Sequence, residues 1–296
     1  MAIDLIMKVR EHLAGFFMKK KKNRRGIVFW IMFFVTVICF LNLVLKLYRV
    51  YQSEQDAKKV SKSYSEKIED SGIIIQEAHS KKKEEEQPQK PLVYGDVPPL
   101  DGFTPQFDEL QQTNSDCIGW IRFLSPECIS YPILWKKGDN AFYLEHNVKG
   151  EKDKNGAIYL DGENAPDFTD QNNLIYGHNM WNDAMFSRLS DYRKKEQWEK
   201  SPYFFIYKPD GTELVCRIYA ASEIDYNDKV YQQMIFADRK EYESHLEEWA
   251  ARSLYQTDTV LDSDRHSITL STCLRMLNSD RRFTIQALVV GERHYK

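Results

Sequence analysis

The chain has 296 residues, 42% of them hydrophobic and 29% charged, with a formal net charge of −3 at neutral pH. That length allows one or two domains and a sizeable core. The slightly negative balance, with no basic stripe in the C-terminal two thirds, argues against nucleic acid as a partner.

The charge is unevenly spread. "MKKKKNRRG" (18–26) gathers six basic residues directly before "IVFWIMFFVTVICFLNLVL" (27–45), an uncharged run interrupted mainly by Thr36 and Asn42. A helix over that run is roughly 28 Å long, close to the ~30 Å hydrocarbon core of a bilayer. A cleaved signal peptide has a shorter apolar region and small residues at its end, and neither feature is present. Residues 1–26 are therefore expected as a cytoplasmic basic N-terminus and 27–48 as a transmembrane signal anchor. The cluster of cations stays inside, so everything after about residue 48 is expected outside the cell membrane. The first 17 residues have the pattern of a short amphipathic helix, to which no function is attached.

Residues 49–97 are polar and charged, and "KKKEEEQPQKP" (81–91) is low in apolar content. Such a composition reads as an extracellular tether. From 98 to 296 the composition becomes globular. "TPQFDELQQTN" reads as a short helix, and "CIGWIRF" and "ISYPILW" as strands either side of a turn at "LSPEC". "AIYLD" and "NLIYGHNM" are further strands, and "PYFFIYKPDGTELVCRIYAASEI" is a hairpin around Lys-Pro-Asp-Gly. Over 238–255, Asp238 is a candidate N-cap with Glu241 three residues on. Tyr242, Leu246, Trp249 and Leu254 then recur at helical spacing. "SITLSTC" and "FTIQALVVG" are the last two strands. The domain is mostly β, with helices on its edges.

Cys273 ends the strand "SITLSTC", where a side chain can face a groove. A lone buried cysteine is more often a small inert hydrophobe, but a cation nearby favours the reactive thiolate. Arg281 and Arg282 open the next strand. Period-two geometry sends them to opposite faces, so only one can face Cys273. His178 follows "NLIYG", where a strand runs into a turn and the preceding glycine permits a sharp bend. It is the candidate acid or base for a thiol, whereas His146, His245, His266 and His294 lie in polar surroundings. "YLDGENAPDFTD" lacks the alternating order of a calcium loop and reads as an acidic surface loop. No C-x-x-C, P-loop, dinucleotide-binding glycine pattern or H-E-x-x-H occurs.

"TLSTC" (269–273), "IYGHNM" (175–180) and "RF" (282–283) opening a last strand together resemble the sortases. These are membrane-anchored cysteine transpeptidases of Gram-positive bacteria, and the resemblance runs from about residue 105 to 292. "FDELQQTN" before "IGWI", "DNAFYLEHN", "NGAIYLD" and the long helix before the cysteine strand favour class B. The resemblance implies a closed β-barrel of about eight strands with peripheral helices. It implies Cys273 as nucleophile, His178 as catalytic histidine and Arg282 rather than Arg281 as catalytic arginine. Asn140, Leu144 and Ser271 match positions that line the substrate groove, and segment 222–236 should supply a lid. Leu274 departs from the polar or acidic residue common after the cysteine.

The chemistry so implied is cleavage after threonine in the C-terminal sorting signal of a secreted surface protein, through a thioacyl intermediate. For class B the signal is of an Asn-Pro-x-Thr-x type. An amino group of a lipid-linked peptidoglycan precursor then resolves the intermediate, and chemistry of this kind needs neither metal nor organic cofactor. An ordinary thiol and an ordinary imidazole are both mostly neutral at pH 7, so a minority charged pair is expected to carry activity. A pilin lysine as acceptor, and a membrane-anchored binding module that has lost catalysis, are the alternatives. A papain-like protease does not fit, because its cysteine precedes its histidine and opens a helix. Pairing among Cys117, Cys128 and Cys216 stays open.

Overall fold

The computed structural model describes residues 30–42, 44–45, 48, 96–180, 182–273 and 280–295. The chain divides into two compact units, residues 1–52 and 53–296.

In the first unit, residues 30–42, 44–45 and 48 are helical. Its two interior polar side chains turn back onto their own helix: Thr36 donates to the Met32 carbonyl and Asn42 to the Ile38 carbonyl. No helix among the described residues is long and apolar enough to cross a membrane. The rest of the expected anchor and nearly all of the expected tether lie outside the described residues.

The second unit is an eight-stranded closed barrel. Its strands are β1 (Cys117–Phe123), β2 (Ser130–Trp135), β3 (Ile158–Leu160), β4 (Asn172–Tyr176), β5 (Tyr203–Tyr207), β6 (Thr212–Asp225), β7 (Ser267–Cys273) and β8 (Arg281–His294). They close in the order β1-β2-β3-β4-β7-β8-β6-β5. Most neighbours are antiparallel, but β2 with β3 and β4 with β7 are parallel pairs. The helices are α1 (Phe107–Thr113), α2 (Asn140–Leu144), α3 (Lys195–Lys200), α4 (Lys229–Gln232) and α5 (Arg239–Arg252), with a 3-10 turn at Ser187–Arg193.

Alternation along each strand sorts the residues into two cores. Ile121, Ile133, Ile175, Ile206, Ile268, Leu270 and Ile285 join one buried cluster to which every strand contributes, the barrel interior. Trp120, Leu134, Tyr207 and Leu288 point the other way and pack with Phe107, Leu110, Tyr242 and Trp249 of the helices. The outward face of β7 is the exception. It carries Ser267, Thr269, Ser271 and Cys273 instead of apolar residues, and Ser267 and Thr269 both donate to the Asn172 side-chain carbonyl.

The contacts of this unit reach back to Asp96, at the end of the expected tether. Arg217, buried on β6, donates to both Asp96 carboxylate oxygens at 2.9 and 3.0 Å and to Asp258 at 2.7 Å. Burial raises the Asp96 carboxyl, but hydrogen bonds from Tyr203 and Arg217 more than offset this and hold it below its ordinary value.

α5 starts as its sequence predicts. Asp238 accepts from the Glu241 backbone, and Glu241 accepts from the Ala237 backbone. His245 does not lie in the polar surroundings expected of it. Spaced three residues after Tyr242 and four before Trp249, it belongs to the inward stripe and is 3% exposed. Its Nε2 accepts from the Trp249 indole at 3.1 Å. Burial pulls its pKa down to about 4. As pH falls, the unfolded chain protonates this residue first, near 6.5. The stability His245 confers is therefore full above about pH 6.5 and is lost as pH falls towards 4. The loss is roughly 2–3 kcal/mol. Urea unfolding at pH 7 and pH 4.5 checks this: His245→Gln should lose less stability between the two than the parent chain. Equal losses would contradict the assignment.

Candidate functional site

Cys273 and Arg282 are direct cross-strand partners, the last residue of β7 opposite the second of β8. Partners so placed carry their Cβ atoms roughly 4.5–5.5 Å apart on one face. The neighbouring pair, Thr272 and Phe283, points inward and is buried. Cys273 and Arg282 therefore share the outward face with Ser271. Arg281 turns to the other side, where its guanidinium lies 3.7 Å from the Glu223 carboxylate.

β4 lies parallel to β7 on the side away from β8, and Tyr176 is level with Ser271. Past the strand, the Gly177 backbone donates to the Ser271 carbonyl at 3.1 Å and the Asn179 side chain to the Cys273 carbonyl at 2.8 Å. These bonds hold His178 beside the end of β7. Gly177 serves closeness rather than a sharp bend. A side chain there would stand 2.6 Å from the Phe186 ring and against Ile158.

The histidine ring is fixed from a third direction. His178 Nε2 lies 2.9 Å from the Leu144 carbonyl at the C-terminus of α2. A carbonyl oxygen only accepts, so this bond places a proton on Nε2. The helix end is held by Gly156, whose φ of +56° suits glycine and whose Cα abuts the Tyr143 and Leu144 carbonyls too closely for any side chain.

His178, Cys273 and Arg282 line one cavity of about 240 Å³, together with Leu144, Ser271 and four tyrosines. Its floor is Tyr159 and Tyr176, and Tyr226, Tyr231 and Gln232 come from the expected lid. The Tyr231 and Ser271 hydroxyls are 2.7 Å apart, tying α4 to β7. Burial pushes the Tyr159, Tyr176 and Tyr231 phenols above their ordinary value, so they remain neutral at pH 7. Among the described residues of this lining, Arg282 is the one permanent cation and there is no carboxylate.

Asn140 is the expected groove residue that does not line the cavity. Its amide donates to Asp161 at 2.8 Å and its carbonyl accepts from the Gly162 backbone at 2.7 Å. Asp161 in turn accepts from the Tyr176 hydroxyl at 2.8 Å. Asn140 thus reaches the cavity through Asp161 and the floor tyrosine. The reading of 159–170 as an acidic surface loop fails at Asp161, which is 4% exposed and fully engaged. Nothing in the spacing of its neighbours marked it. Only the later position of Tyr176 explains why a carboxylate is buried there. Leu274 lies outside the described residues.

The five cysteines are all free. Burial pushes the Cys117 thiol up to about 12 and Cys216 well above its ordinary value, which makes both unreactive. Cys273 is exposed at the cavity.

The sequence profile of the family described as "Sortase domain" matches residues 129–290. Sortase B of Listeria monocytogenes serovar 1/2a is 36% identical over 165 residues, 56% of this chain and 65% of that protein. The alignment thus spans slightly under two thirds of the relative. Sortase B of Staphylococcus aureus is 30% identical over 169 residues, 57% of this chain and 68% of its own. Among solved structures, the crystal structure of Clostridium perfringens sortase B superposes with a TM-score of 0.57 at 29% identity. That match covers 62% of this chain and 98% of the other.

Proposed function

The chain belongs to the sortase family, class B, and on that footing we propose that it is a membrane-anchored cysteine transpeptidase acting on the sorting signals of exported proteins. The observation that carries this reading is the Cys273–Arg282 cross-strand pair, which shares one cavity with His178. A nucleophile, a cation for a developing oxyanion and a proton carrier are the three groups that acyl transfer through a thiol needs.

The Cys273 thiolate attacks the carbonyl carbon that follows a threonine side chain in the signal, forming an S–C bond. Arg282 donates hydrogen bonds to the oxygen as it becomes negative. The tetrahedral intermediate collapses, the C–N bond breaks, and His178 gives its proton to the departing amine. An incoming amine then attacks the thioester, returns a proton to His178 and expels the thiolate. One amide is exchanged for another, with no change of oxidation state. The groove residues are Leu144 and Ser271 directly and Asn140 through Asp161 and Tyr176. We take the acceptor to be an amine of the lipid-linked cell-wall precursor.

The anchor belongs to the same reading, with residues 1–26 inside, 27–48 in the membrane and 49–97 as tether. It is supported by the apolar run after six cations and by the inward-bonded Thr36 and Asn42. Retention of the full-length chain in carbonate-washed membranes is the expected result, and release would count against it.

The activity is tested by incubating the full-length chain with peptides that carry threonine–glycine or threonine–asparagine bonds, together with triglycine. The expected product is the N-terminal half of one peptide joined to triglycine through a new amide. Hydrolysis alone at every triglycine concentration would contradict the transpeptidase reading.

A further inference from the structure

Tyr226 is the first residue after β6, and the backbone is fixed on both sides of its ring. Its N–H donates to the Asp280 carbonyl at 2.9 Å, just before β8 begins. Its carbonyl accepts from the Gln232 side chain at 2.9 Å. Asp228 caps α4 through the Val230 backbone and is held by Arg252 of α5 at 2.7 Å. The turn is therefore braced against β8, α4 and α5. Its ring, 38% exposed, stands at the cavity wall.

The guanidinium carbon of Arg282 lies 5.3 Å from the centroid of that ring. Its Nη1 also donates to the Arg281 carbonyl at 3.2 Å. A guanidinium within about 6 Å of an aromatic face is attracted by the ring's negative quadrupole, and its planar shape stacks there. An arginine at the start of a strand has several rotamers available, most of which point its donors into water. Stabilisation of a developing oxyanion is strongest when the donor needs no reorganisation as charge appears.

We propose that Tyr226 is a positioning residue for Arg282, its ring face holding the guanidinium at the cavity where Cys273 is its cross-strand partner. The inference rests on the transpeptidase reading given above. The lid thereby acts on the step that Arg282 serves as well as on enclosure. The property used is the ring, not the hydroxyl.

Steady-state kinetics of full-length parent, Tyr226→Phe and Tyr226→Leu chains test this on any peptide of the panel that is turned over, alongside the rate of Cys273 alkylation by iodoacetamide. Tyr226→Phe should keep kcat within about twofold, and Tyr226→Leu should lower kcat by roughly tenfold with KM within twofold. Alkylation should be unchanged in Tyr226→Phe and should fall by much less than kcat in Tyr226→Leu, because the cation stays near the thiol while its alignment is lost. An unchanged kcat in Tyr226→Leu overturns the inference. So does a loss as large in Tyr226→Phe, a loss confined to KM, or a parallel fall in alkylation. An active parent with any of these results leaves the transpeptidase reading standing. A parent that neither forms an adduct nor turns over any peptide removes both.

Discussion

Cys273→Ala is expected to lower peptide turnover by more than about a thousandfold, to the level of uncatalysed exchange, without changing the free energy of unfolding in urea by more than about 0.5 kcal/mol. The argument is local. Cys273 is exposed at the end of β7, so removing its sulfur leaves no buried cavity. The strand stays fixed through Ser271, which accepts from Gly177 and bonds Tyr231, and through the Cys273 carbonyl, which accepts from Asn179. Those bonds use backbone and neighbouring side chains that the substitution spares. Turnover unchanged in Cys273→Ala would assign the chemistry elsewhere. The same measurement separates an enzyme from a binding module on this fold, since a module would keep its function without the thiol.

The second large effect comes from a residue with no reactive group. Gly177→Ala places a methyl against Ile158 and 2.6 Å from the Phe186 ring, both buried in the barrel interior. The fully buried Phe186 ring has little room to yield, and the same residue holds the His178 carbonyl through its N–H at 3.0 Å. Overpacking of this kind costs about 1–3 kcal/mol. The displaced element is the one that carries His178, and a shift on the order of 1 Å in such a group costs roughly a hundredfold in rate. The expected result is a fall of that size in kcat/KM, larger than the stability loss alone explains. A kcat/KM within twofold of the parent would show that the site tolerates the shift.

These residues also show how far the sequence could be read. The strands were legible because every barrel strand alternates between the interior and the helix-covered face. Ile268 and Leu270, two residues apart, share the interior face of β7, and the same alternation separated Arg281 from Arg282. The parallel pairings that bring β4 beside β7 were not legible from pattern, since parallel and antiparallel strands alternate alike. Without them His178 and Cys273 had no reason to meet, and only the resemblance joined them. α2 escaped notice because five residues are too few to show a helical period; its start is marked only by Asp139, which accepts from the Phe142 backbone. His245 looked polar beside its glutamates, yet its spacing to Tyr242 and Trp249 was the better signal. Gly177 was read for bending when its true constraint is space. Space is a property of Phe186 and Ile158, residues on either side of it in sequence that only the fold brings close.

Tyr226 and Asp161 fall in the same class. Each acts through a partner distant in sequence, Arg282 in one case and Tyr176 in the other. A tyrosine after a strand and an aspartate in an acidic loop carry no mark of such roles on their own.

The central claim is that Cys273 becomes acylated. Intact-protein mass spectrometry of the full-length chain after brief incubation with the peptide panel tests it most directly, with the modified residue located by digestion. The account predicts a mass increase equal to the N-terminal part of one peptide, carried on Cys273 and discharged when triglycine is added. Peptide turnover with no adduct on Cys273, or an adduct that triglycine does not discharge, would contradict it.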